Sequence, residues 1–135
     1  MDELVKKSAS DLARLIKNGE ASSNEVVQAH LTRIKEINPD VSAVTITLEE
    51  QALENASKAD EASEEEKQRP LHGVPFTIKE NIDFLGTPTT NGLSMLLEAY
   101  PPKNAPIVDR MINAGAIPLL SLIHISEPTR HRYIS

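Results

Sequence analysis

Lys79 closes the run Pro70-Leu71-His72-Gly73-Val74-Pro75-Phe76-Thr77-Ile78-Lys79-Glu80-Asn81-Ile82-Asp83, placing an amine at the end of an otherwise apolar segment. Val74, Phe76 and Ile78 alternate with Pro75, Thr77 and Lys79, the period of a strand whose successive side chains face opposite sides. Lys79 is therefore expected opposite the apolar stripe. In that setting a lysine either snorkels to solvent along its aliphatic stem or serves as a reagent. The chemistry open to it is that of a base, which needs the free amine. Lysine amines ordinarily titrate near about 10.4, so a lysine base depends on burial or neighbouring cations to bring that value to roughly 7–8. A strand end in a buried sheet supplies the desolvation.

Other side chains with chemical potential lie nearby. His72 could suggest a Ser-His pair, but it falls in a turn before Gly73, and His30 falls on a helix face among apolar residues. Beyond Lys79 a loop rich in Gly, Pro, Thr and Asn runs from Asn81 to Gly92, of the kind that scaffolds hold near chemistry. Its Asn81, Asp83 and Thr87 to Asn91 can face a substrate channel. They can equally be turn chemistry, since Gly86-Thr87-Pro88 and Asn91-Gly92 are strong turn formers.

The run around Lys79 closely resembles the amidase-signature hydrolases, whose catalytic lysine ends a strand reading much like Gly-Val-Pro-Phe-Thr-Ile-Lys-Glu-Asn. The resemblance continues through Gly86-Thr87-Pro88-Thr89-Thr90-Asn91-Gly92, Asn104-Ala105-Pro106-Ile107-Val108 and Ala114-Gly115-Ala116-Ile117-Pro118, in the order that family uses. Upstream, Ser22-Ser23-Asn24-Glu25-Val26-Val27 and Arg33-Ile34 through Asn38-Pro39 are similar to its N-terminal helical segment, so the resemblance covers residues 8 to 119. It implies an α/β fold: the N-terminal part of the amidase-signature fold, with a helical segment followed by a mixed sheet with flanking helices, and incomplete.

The resemblance also implies a mechanism. In that family a lysine, as free amine, takes a proton through a bridging serine whose peptide is cis, and a second serine attacks the amide carbonyl to give an acyl-enzyme. Lys79 would be the base. Neither serine is identifiable in this chain, and the family's chemistry uses side chains alone, so no metal or organic cofactor is implied.

Several elements must position Lys79. Ser8 with Asp11, Ser22 with Glu25, and Thr47 with Glu50 each set a hydroxyl three residues before an acid, the spacing of a capping box. Three helices are expected to follow. The first carries Leu12, Leu15 and Ile16 on one face and ends at Gly19; the second carries Val26, Val27, His30, Leu31, Ile34 and Ile37 and is expected to stop at Asn38-Pro39. Val41 to Thr47 reads as a strand, and Leu48 to about Lys67 as a third helix packed through Ala52, Leu53, Ala56 and Ala59. Its acidic end, Glu64-Glu65-Glu66-Lys67, reads as solvated surface. After the loop, Asn104 or a neighbour is expected to cap a helix from Pro106 to Ala114, with Ile107, Val108, Met111 and Ile112 as its buried stripe. Gly115 closes it and Ala116 to Leu119 begin another strand. Strand, helix, strand implies a parallel crossover.

The chain has 135 residues, a net charge of −6 and no cysteine. That is room for one domain at most, whereas amidase-signature enzymes are several hundred residues long. An acidic chain opposes nucleic acid and anionic lipid, so neither is an expected partner. No apolar stretch approaches the roughly 18 residues that span a bilayer, and the N-terminus lacks the layout of a signal peptide, so a cytoplasmic protein is expected.

Residues 1–119 are thus expected to form the N-terminal part of an amidase-signature domain, and residues 120–135 to be a non-native tail. After Leu119 the family's Gly, Lys or Arg, and Thr-Asn do not follow. Instead Leu120-Ser121-Leu122-Ile123-His124-Ile125-Ser126-Glu127-Pro128-Thr129-Arg130 resembles a translated sequencing-library adapter. His131-Arg132-Tyr133 stand at its variable index, and Ile134-Ser135 follow in order. Ser121, His124 and Ser126 are accordingly not taken as a triad.

Three functions remain open from sequence. The first is a fragment of a serine-dependent amidase acting on small carboxamides, inactive by itself. The second is a fragment of the amidase subunit of a glutamyl-tRNA(Gln) amidotransferase, which a glutamine-specific pocket downstream would favour. The third is a non-catalytic truncated homologue that binds a partner through the helices of residues 8 to 38. Substrate and oligomeric state are not legible.

Overall fold

A computed structural model describes residues 2–122. A short 3-10 turn at Glu3–Lys6 leads into α1 (Ala9–Lys17), α2 (Ser23–Val41), β1 (Val44–Thr47) and α3 (Glu49–Asp60). After a second 3-10 turn at Glu66–Gln68 come β2 (Pro75–Lys79), a third at Ser94–Leu96, α4 (Pro106–Asn113) and β3 (Ile117–Leu122). The strands form a mixed sheet in the order β1-β3-β2, with β3 antiparallel to β1 and parallel to β2. The expected β2-α4-β3 parallel crossover is present. Among the described residues no helix is long and apolar enough to cross a membrane.

Two of the three expected caps form. Ser8 Oγ accepts the Asp11 N–H at 3.1 Å, and Ser22 and Glu25 make the full reciprocal box at the start of α2. The third does not form, because Thr47 is held in β1 opposite Leu120. Leu48 becomes the N-cap without a side-chain bond, its N–H donating to the Leu119 carbonyl at 3.2 Å. Long-range ladder bonds have displaced a local one.

Pro39 does not stop α2. It lies inside the helix, which runs to Val41 and ends at Ser42 in the left-handed conformation (φ 49°). Pro39 removes only one donor, in the last turn. Asn38 secures the exit: its carbonyl accepts the Ser42 N–H at 2.7 Å, and its side chain brackets Val44 with bonds of 2.9 and 3.1 Å. β1 consequently starts at Val44 rather than Val41.

Helix α3 ends at Asp60, short of the expected Lys67, because its last side chain is used elsewhere. Asp60 accepts the backbone N–H groups of Ser23 at 2.6 Å and Asn24 at 3.0 Å, placing a carboxylate on the free donors at the start of α2. Beyond it Ser63 and Glu66 bond reciprocally, a local alternative to continuing the helix. Glu64 to Glu66 are exposed, as expected.

Three apolar clusters hold the layers. Val27 and Leu31 of α2 and Ala52 and Ala56 of α3 pack on Ile117, Leu119 and Leu120 of β3; Leu12 and Val26 pack on Val74; Ile78 packs with Phe84 and Val108. Burying a side chain such as Leu31, 1% exposed, contributes about 1.5–3 kcal/mol. In α4 only Val108 is fully buried. Ile107 is 59% exposed, so the expected stripe is narrower than the sequence suggests. Ile37 likewise lies at the surface.

The capping carboxylates set a pH dependence. The Ser22 backbone N–H, then its hydroxyl, hold the Glu25 carboxyl below its ordinary value, and Ser63 does the same for Glu66. A carboxyl depressed in the folded state stabilises above its unfolded value, and that contribution is lost as pH falls through the folded one. Urea midpoints should therefore fall between about pH 6 and about pH 3, and Glu25→Gln should make that fall shallower. An equally steep fall in the variant would show that Glu25 does not contribute.

Candidate active site

The entry to β2 is a tight turn clamped from two sides. Gly73 has φ 75°, and a Cβ there would lie 2.8 Å from Ser23 Cβ and Oγ. The Ser23 hydroxyl, fully buried, donates to the Gly73 carbonyl at 3.0 Å. From the other side Leu71 N–H donates to Ala114 O and Gly73 N–H to Gly115 O, each at 2.9 Å. Gly115 (φ 93°) permits this approach, since a Cβ on it would come within 2.7 Å of His72 Cα. The residues that lead into β2 are therefore fixed by α2 and by the end of α4.

From that entry the register runs Pro75 on Ile117, Phe76 on Pro118, then, across a bulge, Thr77 on Leu120, Ile78 on Ser121 and Lys79 on Leu122. The Glu80 N–H adds one more bond, to the Leu122 carbonyl at 2.8 Å. Aligned residues share a face, so Lys79 lies on the face of Leu122, which is itself aligned with Val44. Ile78 lies on the opposite face and packs against Phe84 and Val108 of the α4 side. Lys79 is thus opposite Ile78, at the carboxyl end of a parallel pair, and half-buried. Its ammonium makes no ion pair or hydrogen bond among the described residues.

The other candidates separate from Lys79. His72 is 4% exposed, with Nε2 2.8 Å from the Ala59 carbonyl, so Nε2 carries a proton and the ring pins α3 to the β2 entry, at the opposite end of the strand from Lys79. Its buried Nδ1 has no protein partner among the described residues. His30 Nδ1 lies 2.8 Å from the Val26 carbonyl of its own helix. Ser121 is aligned with Ile78 and so faces away from Lys79, while His124 and Ser126 lie outside the described residues.

The loop beyond Lys79 is tightly tied. Ile82 N–H donates to Lys79 O at 2.9 Å, Thr89 Oγ1 to Asp83 Oδ1 at 2.6 Å, and Thr87 Oγ1 to Phe84 O at 3.1 Å. Asn81 is exposed. Asn104 does not cap α4: its Oδ1 accepts the Leu85 N–H at 2.8 Å and its Nδ2 donates to Asp109, stapling the loop to the helix. Ala105 is the N-cap, and Pro106 at the first turn needs no donor partner. Reading the sequence did not single out Glu80, which is 6% exposed and accepts the Thr90 hydroxyl at 2.7 Å. The available signal was the alternation itself, which puts Glu80 on the Ile78 side. Beside it lies a cleft of about 390 Å³ whose walls include Ile46, Leu93, Leu97 and Ser121.

The sequence profile of the family described as Amidase matches residues 25–122. The chain belongs to the amidase family. It is 42% identical over 117 residues to an indoleacetamide hydrolase of Bradyrhizobium diazoefficiens, covering 82% of this chain and 21% of that protein. It is 38% identical over 115 residues to one of the subunits of the glutamyl-tRNA(Gln) amidotransferase of Caldanaerobacter subterraneus, covering 85% of this chain and 24% of that one. Among solved structures, the native peptide amidase from Stenotrophomonas maltophilia superposes with a TM-score of 0.76 at 30% identity, over 89% of this chain and 25% of that chain. The chain spans about a fifth to a quarter of the length of these relatives. Its α/β architecture is that of the amidase-signature enzymes.

The clamp at the β2 entry is open to a direct test. Ser23→Ala leaves the Gly73 carbonyl buried without its donor and is expected to cost about 1–3 kcal/mol in chemical denaturation. A change below about 0.5 kcal/mol would show that the clamp does not hold the strand.

Proposed function

We propose that this chain is the N-terminal part of an enzyme that hydrolyses small carboxamides, with Lys79 as its general base. The observation that carries this reading is the position of Lys79: half-buried at the carboxyl end of parallel strands, without an ion pair among the described residues, inside a segment that matches the amidase family. Ligands of open α/β sheets gather at that end of the strands. A carboxylate bonded to the amine would favour its charged form and oppose its use as a base.

An amide resists hydrolysis because nitrogen donates into the carbonyl and the amine leaves poorly. In the proposed mechanism Lys79, as free amine, accepts a proton from a bridging serine with a cis peptide. That serine takes one in turn from a nucleophilic serine, whose oxygen adds to the carbonyl. Return of the proton to the nitrogen releases the amine and leaves an acyl-serine, which water then hydrolyses to the carboxylic acid, restoring the serine. Both serines and the oxyanion donors belong to sequence outside residues 1–119, so this chain alone is proposed to be inactive. Residues 120–135 are proposed to be adapter-derived and not the enzyme's own continuation.

A second reading is supported by the amidotransferase among the relatives. There the same lysine would serve the release of ammonia from glutamine. A non-catalytic binding module has less support, since Val26 and Leu31, which it would use to grip a partner, are buried within the chain itself.

In the complete enzyme, Lys79→Ala is expected to lower kcat by about 10²–10⁴-fold with the melting temperature little changed, because among the described residues the side chain makes no ion pair or hydrogen bond. Retention of more than about a third of wild-type kcat would remove Lys79 from the mechanism.

A further inference from the structure

Glu80 follows the lysine that the proposed chemistry uses, yet that chemistry gives it no task. Strand alternation sends it to the face opposite Lys79. There it is buried, at 6% exposure, and a buried carboxylate is costly unless it is well bonded. Its Oε2 accepts the hydroxyl of Thr90, itself only 8% exposed. Thr90 Oγ1 in turn accepts the Gly92 N–H at 3.3 Å. The turn between them is unusual: Asn91 and Gly92 both take positive φ, 50° and 75°. The turn lies beside the carboxylate: a Cβ on Gly92 would stand 3.5 Å from Glu80 Oε1, an ordinary contact distance.

The loop of residues 81–92 is therefore held at both ends by the last residue of β2 and the one that follows it. The Lys79 carbonyl takes the Ile82 N–H at its start, and the Glu80 carboxylate takes Thr90 near its finish. Its other side-chain tie at this end, Thr89 to Asp83, is exposed to competing water, whereas the Glu80 tie is not.

We propose that Glu80 is a positioning residue. Through Thr90 it fixes the shape of the loop that leaves Lys79, and by that shape the substrate's fit beside the amine. The effect on substrate rests on Lys79 being the base of an amide hydrolase; the tie between Glu80 and the loop does not.

The test uses the complete enzyme and three variants. Glu80→Ala and Thr90→Val each break the tie and should raise KM about tenfold with kcat within about threefold, the size expected for one buried, charge-assisted hydrogen bond. Glu80→Gln keeps a carbonyl acceptor for Thr90 and should bring KM back to within about twofold of wild type. Amide exchange in peptides spanning residues 88–93 should quicken in the first two variants and not in the third. Thr90→Val is nearly isosteric and carries the test should Glu80→Ala fail to fold. Unchanged KM and exchange in Thr90→Val would overturn the proposal, as would a Glu80→Gln enzyme as impaired as Glu80→Ala. Undiminished turnover in Lys79→Ala would instead sink the assignment of the base, and the exchange data would still decide whether Glu80 holds the loop.

Discussion

Parallel pairing of β2 with β3 decides which face of the sheet each side chain from Pro75 to Glu80 occupies. A slip of one residue would exchange the faces of Lys79 and Glu80, turning the amine toward the Phe84 and Val108 cluster and the carboxylate toward the α2-α3 side. The register is not left to the strand alone. The turn at Gly73 is pressed between Ser23 and Gly115 closely enough that neither glycine tolerates a Cβ, so the point at which β2 begins is fixed by backbone contact. From there the ladder carries the alternation to Lys79.

The helices serve that clamp. Helix α2 supplies Ser23 only if its own start is well placed, and that start is held both by the Ser22-Glu25 box and by the Asp60 carboxylate from the end of α3. His72 joins the same α3 terminus to the turn. One group of residues, distant in sequence and adjacent in space, thus supports the strand that bears the lysine, while β3 is buried between the helical layers.

Much of this was legible in the sequence because the signals are local. Ser8 and Ser22 announce helix starts by spacing, the alternation from Val74 to Lys79 announces a strand, and the order strand, helix, strand announces the crossover. What escaped has a common cause. Asp60 caps a helix that begins 37 positions earlier, and Thr47 abandons its cap because β3 claims it. Glu80 was not singled out, because only the folded loop brings the Thr90 hydroxyl back to its carboxylate. In each case a tertiary partner overrode a local preference, and a single sequence does not reveal such partners. Lys79 itself stood out only because its flanking motif resembles a family; its alternation alone fits a snorkelling side chain equally well.

The proposed chemistry calls for two serines besides Lys79, and the chain spans about a fifth to a quarter of the length of its relatives. The most direct test is to sequence the gene from its own DNA across the codon for Leu119 and onward for the length of a complete enzyme. The proposed function predicts a frame that leaves the present sequence near Leu120, runs through Thr-Asn and reaches a Gly/Ser-rich stretch holding both serines. A frame that encodes Leu120 to Ser135 and then stops would contradict it, leaving Lys79 a base with no nucleophile to serve.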